Sequence, residues 1–267
     1  MLLIRWKSMK KLLSRITGLL TMVILCHSAS ATESDPEAVA LLQKSESLMR
    51  SKATEVTYQV DIVRPDWKRT LEFLSHDDYE NNRFRMEILS PRKTRGTVFL
   101  KVDDKLSMYL PKLRRQIAIS PAMMHDAWMG SDFNNQDLLE ADSLISDYTH
   151  LIARREGKGP EAIITIESFP NESATVSWHM LVQRIRGDGM PLEIRYICKD
   201  KVPGRRLLFE APKEMDGRII PTRLVMEPLK KQGKHTTITI KSVKFNANFN
   251  PDLFEPMKKK KPQAATK

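Results

Sequence analysis

Residues 176–198 read VSWHMLVQRIRGDGMPLEIRYIC. Val176, Trp178, Met180 and Val182 alternate along the outward run, Gly187-Asp188-Gly189 carries turn chemistry, and Leu192, Ile194, Tyr196 and Cys198 alternate on the return. Period two on both sides of a Gly-Asp-Gly turn predicts a β-hairpin with one apolar face. The same period extends through most of the chain. Toward the N-terminus it recurs as Val56, Tyr58, Val60 and Ile62, then Leu71 and Phe73, then Phe84, Met86 and Ile88. It continues as Val98, Leu100 and Val102, then Leu106, Met108 and Leu110, then Ile117 and Ile119. Arg64-Pro65-Asp66, His76-Asp77-Asp78, Ser90-Pro91, Asp103-Asp104 and Pro111-Lys112 separate these runs and favour tight turns. Strands are also predicted over 147–156, 161–168, 206–211, 236–245 and, entered through Asp216-Gly217, 219–227. An antiparallel meander of about eleven or twelve strands follows, in a mainly β chain with some helix. That many strands with a single apolar face must curl around something, because a flat sheet would expose both its apolar side and its edges.

Two segments break the period. Over residues 36–53 the apolar positions Ala38, Leu41, Leu42, Leu48 and Met49 recur at helical spacing, with Ser34 or Asp35 as N-cap and Pro36 in the first turn. This amphipathic helix is the natural plug of a curled sheet. Residues 120–143, SPAMMHDAWMGSDFNNQDLLEADS, replace alternation with methionine, tryptophan and short helical signals, and read as an insertion on the sheet framework.

The chain opens with Lys7, Lys10, Lys11 and Arg15, an apolar run over 16–25, and Ala29-Ser30-Ala31. That order predicts an export signal cut after Ala31, with Met1 or Met9 as the start. The run is too short for a permanent membrane helix, which needs about 20 residues. Leu25 rather than a small residue precedes Cys26, so lipidation is not expected. The domain organisation is therefore a signal over 1–31, one domain over 32–256 and a disordered basic tail over 257–267. Most of the formal net charge of +11 sits in the signal and in the tail, which holds Lys258, Lys259, Lys260 and Lys261. The body is near neutral overall, and nucleic acid is not expected as a partner. The tail is expected to make transient contact with anionic membrane surfaces.

Catalytic patterns are missing. The histidines are scattered, no Cys-x-x-Cys or His-Glu-x-x-His occurs, and neither a metal nor a cofactor is expected. His76 beside Asp77 and Asp78, and His125 beside Asp126, read as turn residues. Gly130-Ser131-Asp132 lacks the strand-to-helix setting of a nucleophile elbow. Cys198, the one cysteine after the signal, reads as a small buried hydrophobe. No enzymatic activity is expected.

The stretch from Gly96-Thr97 through Tyr109-Leu110-Pro111, Arg114-Arg115, Met123-Met124 and Trp128-Met129-Gly130-Ser131-Asp132-Phe133 to Asp137-Leu138 is the most distinctive. With Asp216-Gly217-Arg218-Ile219-Ile220-Pro221-Thr222, Val243-Lys244-Phe245-Asn246 and Asp252-Leu253-Phe254 it resembles the bacterial outer-membrane lipoprotein-sorting-like proteins of the LolA/LolB-like superfamily. The resemblance implies an unclosed antiparallel half-barrel wrapped around the N-terminal helix, with a Met-rich helical lid over an apolar cavity. It implies a monomeric periplasmic carrier of lipid or lipoprotein acyl chains toward the outer membrane, with an RND-type inner-membrane exporter as partner. The alternative on the same fold is a sensor or partner subunit of an envelope exporter that carries no lipid. The resemblance also implies an arginine inside the cavity that holds the lid, for which Arg69 is the candidate.

An acyl chain gains about 0.8 kcal/mol per methylene on leaving water, so a carrier must offer a dry slot. The expected lining is Leu71, Phe73, Phe84, Met86, Ile88, Val98, Leu100, Met108, Trp178, Met180 and Val182. Met123, Met124, Trp128 and Met129 are the expected lid, since flexible thioethers accommodate varied apolar shapes.

Overall fold

The computed structural model describes residues 33–140, 144–174 and 176–257. The expected signal peptide, with its cleavage site, and the lysines of the tail lie outside these residues. Thirteen strands form one antiparallel sheet in the order β6-β5-β4-β3-β2-β1-β13-β12-β11-β10-β9-β8-β7. They are β1 (Ala53–Val63), β2 (Lys68–Asp78), β3 (Arg83–Ser90), β4 (Val98–Val102), β5 (Lys105–Leu110) and β6 (Arg115–Ala118) in the first meander. The second meander is β7 (Tyr148–Glu156), β8 (Ile163–Pro170), β9 (Met180–Arg186), β10 (Pro191–Ile197), β11 (Pro203–Met215), β12 (Arg218–Pro228) and β13 (His235–Phe245). The two meanders join at the β1–β13 ladder, where Thr54 pairs with Phe245 and Val63 with His235. Strands β6 and β7 do not pair with each other, so the sheet is an open half-barrel.

One face can be followed across the sheet, because directly opposed residues point the same way. Ile117, Met108, Phe99, Met86, Ser75, Tyr58, Ile240, Ile238, Leu224, Phe209 and their diagonal neighbours mark the ladders, and the concave face carries Val60, Leu71, Phe73 and Ile88 on one side and Leu181, Ile194, Leu207 and Met226 on the other. Helix α1 (Pro36–Met49) starts where Asp35 accepts the Glu37 N–H at 2.8 Å and Pro36 occupies the first turn. It ends at Met49, short of the expected residue 53. Its buried Ala38 and Leu42 pack on Ala162, Ile164, Ile166 and Ile185, so the helix covers the β7–β9 end of the concavity and leaves the rest to other cover. No described helix is long and apolar enough to cross a membrane.

Face assignment corrects four expected cavity residues. On β9 the buried positions are Leu181, Gln183 and Ile185, which puts Met180 and Val182 on the convex face. Buried polar groups caused the misreading. Gln183 donates to Ser168 Oγ at 3.0 Å, and Ser168 Oγ lies 2.8 Å from Nδ1 of the fully buried His150, so a satisfied polar chain occupies concave positions that look like an exposed face. Burial holds the His150 imidazole below its ordinary pKa. Val98 and Leu100 are likewise opposite in phase to the concave Phe99. Strand β4 is buried on both faces, which hides its phase. The C-terminal segment crosses the convex side, with Phe249 against His76 and Phe254, 3 % exposed, under the Arg83 guanidinium.

The β9–β10 turn backs directly onto α1. Gly189 has φ +94°, and a Cβ there would lie 2.8 Å from Lys44 Cγ, while Asp188 Oδ1 accepts the Met190 N–H at 3.0 Å. Gly189→Ala is expected to lower stability by about 1–3 kcal/mol, through strain at a positive φ and displacement of Lys44. Urea unfolding followed by circular dichroism reads this; an unchanged midpoint would show that the turn is not held against the helix.

Candidate functional site

The concavity is divided into a filled half and an open half. In the β1–β5 half Trp128, 3 % exposed, inserts from the 119–147 connection, with ring centroids 5.2 Å from Phe73 and 5.8 Å from Phe99. Met124, Met129, Phe133, Leu138 and Leu139 pack on the same cluster, while Met123 is exposed. Leu71, Phe73, Phe84, Met86, Ile88 and Met108 belong to this cluster, so the expected lining residues of this half are packed against the expected lid. Trp178 stands at the other side, 5.1 Å from the Tyr196 ring.

The open half holds a cavity of about 290 Å³ between α1, strands β9–β12 and the short helix α2 (Asn135–Glu140). Leu42, Ile185, Ile194, Leu207, Phe209 and Leu224 form its apolar wall, Phe133 and Leu144 its lid side. Ser45, Glu46, Arg50, Asp137, Glu140, Gln183, Arg184 and Glu193 are its polar lining. None of the residues expected from the alternation lines it. Periodicity marked Ile194 as apolar but could not show that Trp128 fills one half of the concavity and leaves the other empty. The size is at the lower end for a small-molecule site, about 300–1,000 Å³.

Two buried ion pairs hold the connection onto the sheet. Asn134 and Asp137 cap α2 reciprocally: Asn134 Oδ1 accepts the Asp137 N–H at 2.8 Å, and Asp137 Oδ2 accepts the Asn134 N–H at 2.7 Å. The same carboxylate receives both terminal nitrogens of Arg205 from β11, one of them at 2.8 Å. Arg205 is buried, and its guanidinium lies 4.3 Å from the Tyr196 ring centroid and 4.7 Å from that of Trp178. The second pair is Arg64–Asp132 at 3.0 Å, with both side chains about nine-tenths buried; Thr236 Oγ1 donates to Asp132 at 2.7 Å and Arg64 donates to Gly130 O at 2.7 Å. Arg69, the expected lid arginine, donates only to Met129 O, at 3.2 Å and in an exposed position. The arginines buried against this connection are Arg205 and Arg64. The signal of Arg205 in the sequence was only a basic residue at an apolar strand phase, beside Leu207.

Glu140 ends α2 and borders both the cavity and a wetter groove of about 750 Å³ lined by Tyr79, Asn82, Lys101, Asp104 and Asp147. Burial pushes its carboxyl up to about 7, against the opposing hydrogen bond from Gln136 at 3.0 Å. Close by, the Tyr148 hydroxyl and Arg205 Nε are buried without a hydrogen-bond partner, in and beside the cluster of Tyr196, Leu207 and Met226. The remaining candidates are built into structure: His76 Nε2 lies 3.2 Å from Glu55, Ser131 Oγ donates to Phe133 O at 3.3 Å, and the half-buried Cys198 packs over Gly204, where a Cβ would come within 2.5 Å of its sulfur. No group of three or more His, Cys, Asp or Glu among the described residues is placed to hold a metal ion.

A family model described as an uncharacterized protein matches residues 80–258. Solved structures share the whole fold at low identity. A DUF1329 family protein from Desulfovibrio piger superposes with a TM-score of 0.74 at 20 % identity, covering 84 % of this chain and 98 % of its own. A putative outer membrane lipoprotein-sorting protein domain from Vibrio parahaemolyticus gives 0.69 at 18 %, covering 81 % and 96 %. A LolA superfamily protein from Nitrosomonas europaea gives 0.68 at 17 %, covering 82 % and 97 %. No curated protein matches the chain.

Two outcomes are expected of this site. Asp137→Ala, which removes the α2 cap and strands Arg205 without its partner, should destabilise by about 3–5 kcal/mol, whereas Arg205→Met with Asp137→Leu should recover most of the loss. Chemical denaturation of the three variants measures this, and equal losses in the single and double variants would place the ion pair outside the stabilising contacts. Because the Glu140 carboxyl is raised in the folded state, the folded chain binds more protons than the unfolded one between the ordinary carboxylate range and about pH 7. Its contribution is therefore full at acid pH and is lost as pH rises through about 7; Glu140→Gln should flatten the fall in thermal midpoint over that window. A parallel fall in both proteins would contradict it.

Proposed function

We infer that this chain, which belongs to the family whose model matches residues 80–258 and has the LolA-superfamily fold, is an extracytoplasmic carrier of lipid or lipoprotein acyl chains. The observation that carries the reading is the apolar cavity between α1, β9–β12 and α2, roofed by a connection that polar contacts hold on the sheet. Burial of each methylene contributes about 0.8 kcal/mol, so even a partly inserted chain is held by several kcal/mol. Lifting α2 exposes the wall of Ile194, Leu207 and Leu224 without breaking a β ladder. Delivery from an RND-type exporter toward the outer membrane is the finer form of the proposal, and it rests on the resemblance and on the lipoprotein-sorting description of the Vibrio parahaemolyticus relative.

Uptake of a fluorescent fatty acid by the purified chain tests the reading. Ile194→Glu places an unpaired charge in the slot, at a cost of several kcal/mol, and Leu224→Trp fills it without charge. Both are expected to abolish uptake, whereas Met180→Glu, on the convex face, should leave it intact. Equal uptake by the parent and both cavity variants, each folded by circular dichroism, would remove this cavity from the function.

A further inference from the structure

The near-neutral body conceals a separation of charge along the strands. Five neighbouring hairpin turns lie at one end, β1–β2, β3–β4, β5–β6, β10–β11 and β12–β13, with the longer β8–β9 connection and its Glu172 beyond them. The five turns form a continuous rim. A Cβ on Gly96 or on Gly233 would come within 4 Å of Pro111 or of Pro65 in the neighbouring turn, and Lys230 reaches Asp200 at 3.2 Å across to the next. The only acids of the five turns are Asp66 and Asp200, against Arg92, Lys93 and Arg95 in one turn and Lys112 with Arg114 in another. Lys199, Lys201, Lys230 and Lys231 complete an exposed basic arc. The five turns at the opposite end carry Glu80, Asp103, Asp104, Glu161, Asp188 and Asp216 against the single Lys158, with Glu80 paired to Lys52 and Asp188 to Arg186.

The basic rim also projects large apolar side chains. Leu113 is 65 % exposed at the tip of β5–β6, Val202 44 % at β10–β11, Leu229 41 % at β12–β13 and Trp67 38 % at β1–β2. The Arg69 guanidinium sits 5.0 Å from the Trp67 ring centroid. Turn tips that alternate leucine, valine or tryptophan with lysine and arginine combine an apolar element able to enter the acyl boundary with cations that meet anionic headgroups. An acidic protein surface would satisfy the lysines but would leave four separated apolar tips without a matching pocket.

We propose that this rim docks on an anionic lipid surface, with Trp67, Leu113, Val202 and Leu229 entering the interface and the acidic end directed away from it. The inference stands on charge and exposure at the rim, and it does not depend on cargo in the cavity. Sedimentation of the full chain with vesicles of equal parts phosphatidylglycerol and phosphatidylcholine tests it. Binding is expected to exceed that to pure phosphatidylcholine and to fall with salt. Replacing Lys93, Lys112, Lys199 and Lys231, all exposed, by Glu should weaken binding by about tenfold or more, whereas Glu80→Lys with Asp104→Lys at the far end should not. Brominated lipids should quench the tryptophan fluorescence of the parent, and most of that quenching should be lost in Trp67→Phe. Unchanged binding by the four-lysine variant overturns the proposal, as does equal binding to neutral vesicles. Loss of all binding on deletion of residues 258–267, with the rim intact, would assign the contact to the tail and overturn it too.

Discussion

Strands β6 and β7 do not pair with each other, and a sheet left open at that seam has to cover its concave apolar face with something other than another strand. Every other part of the domain answers to this requirement. Helix α1 covers the β7–β9 end through Ala38 and Leu42, and the connection between the two edge strands covers the β1–β5 end through Trp128. Two rigid covers of different shape do not meet perfectly over a continuous curved surface. The remaining space, bounded by α1, β9–β12 and α2, is the cavity.

How the covers are attached matters as much as what they hide. α1 is held by the packing of Ala38 and Leu42 and by surface contacts such as Arg218 to Ser47 O and Lys44 to Gly187 O. The connection adds Asp132 and Asp137, each buried against an arginine from the sheet and each bonded a second time, to Thr236 or to the α2 cap. Buried ion pairs of this kind add little net stability over well-packed apolar groups, since desolvation offsets most of the attraction, but they penalise any misplaced register heavily. The result is a cover with one defined position on the sheet. It differs from the α1 end, where Gly189 lets the β9–β10 turn press directly on Lys44.

Charge is organised on a longer scale than these pairs. The acids and bases of the rim and of the far turns are separated by the length of the strands, so most of them do not neutralise one another across the domain. A sum over the chain hides this, because alternate hairpin turns fall at opposite ends of a meander.

Local pattern was enough for much of the architecture. Asp35-Pro36 and the helical spacing that follows specify α1, Gly187-Asp188-Gly189 specifies the β9–β10 turn, and period two specifies antiparallel strands, thirteen of them where about eleven or twelve were expected. Those features rest on contacts within a few residues of one another, which a sequence displays directly. The face that each strand turns inward is different. Gln183, Ser168 and His150 look like a solvent face until they are seen to satisfy one another, β4 is covered on both sides, and Arg205 is concave only because Asp137, distant in sequence, is waiting there. Trp128 fills one half of the concavity, and the cavity lies in the other, lined by the alternating Ile194 and Tyr196 but by none of the expected lining residues. The sequence by itself determined the elements and their order; only the tertiary structure decided which surfaces were covered, because covering depends on partners brought together from opposite ends of the chain.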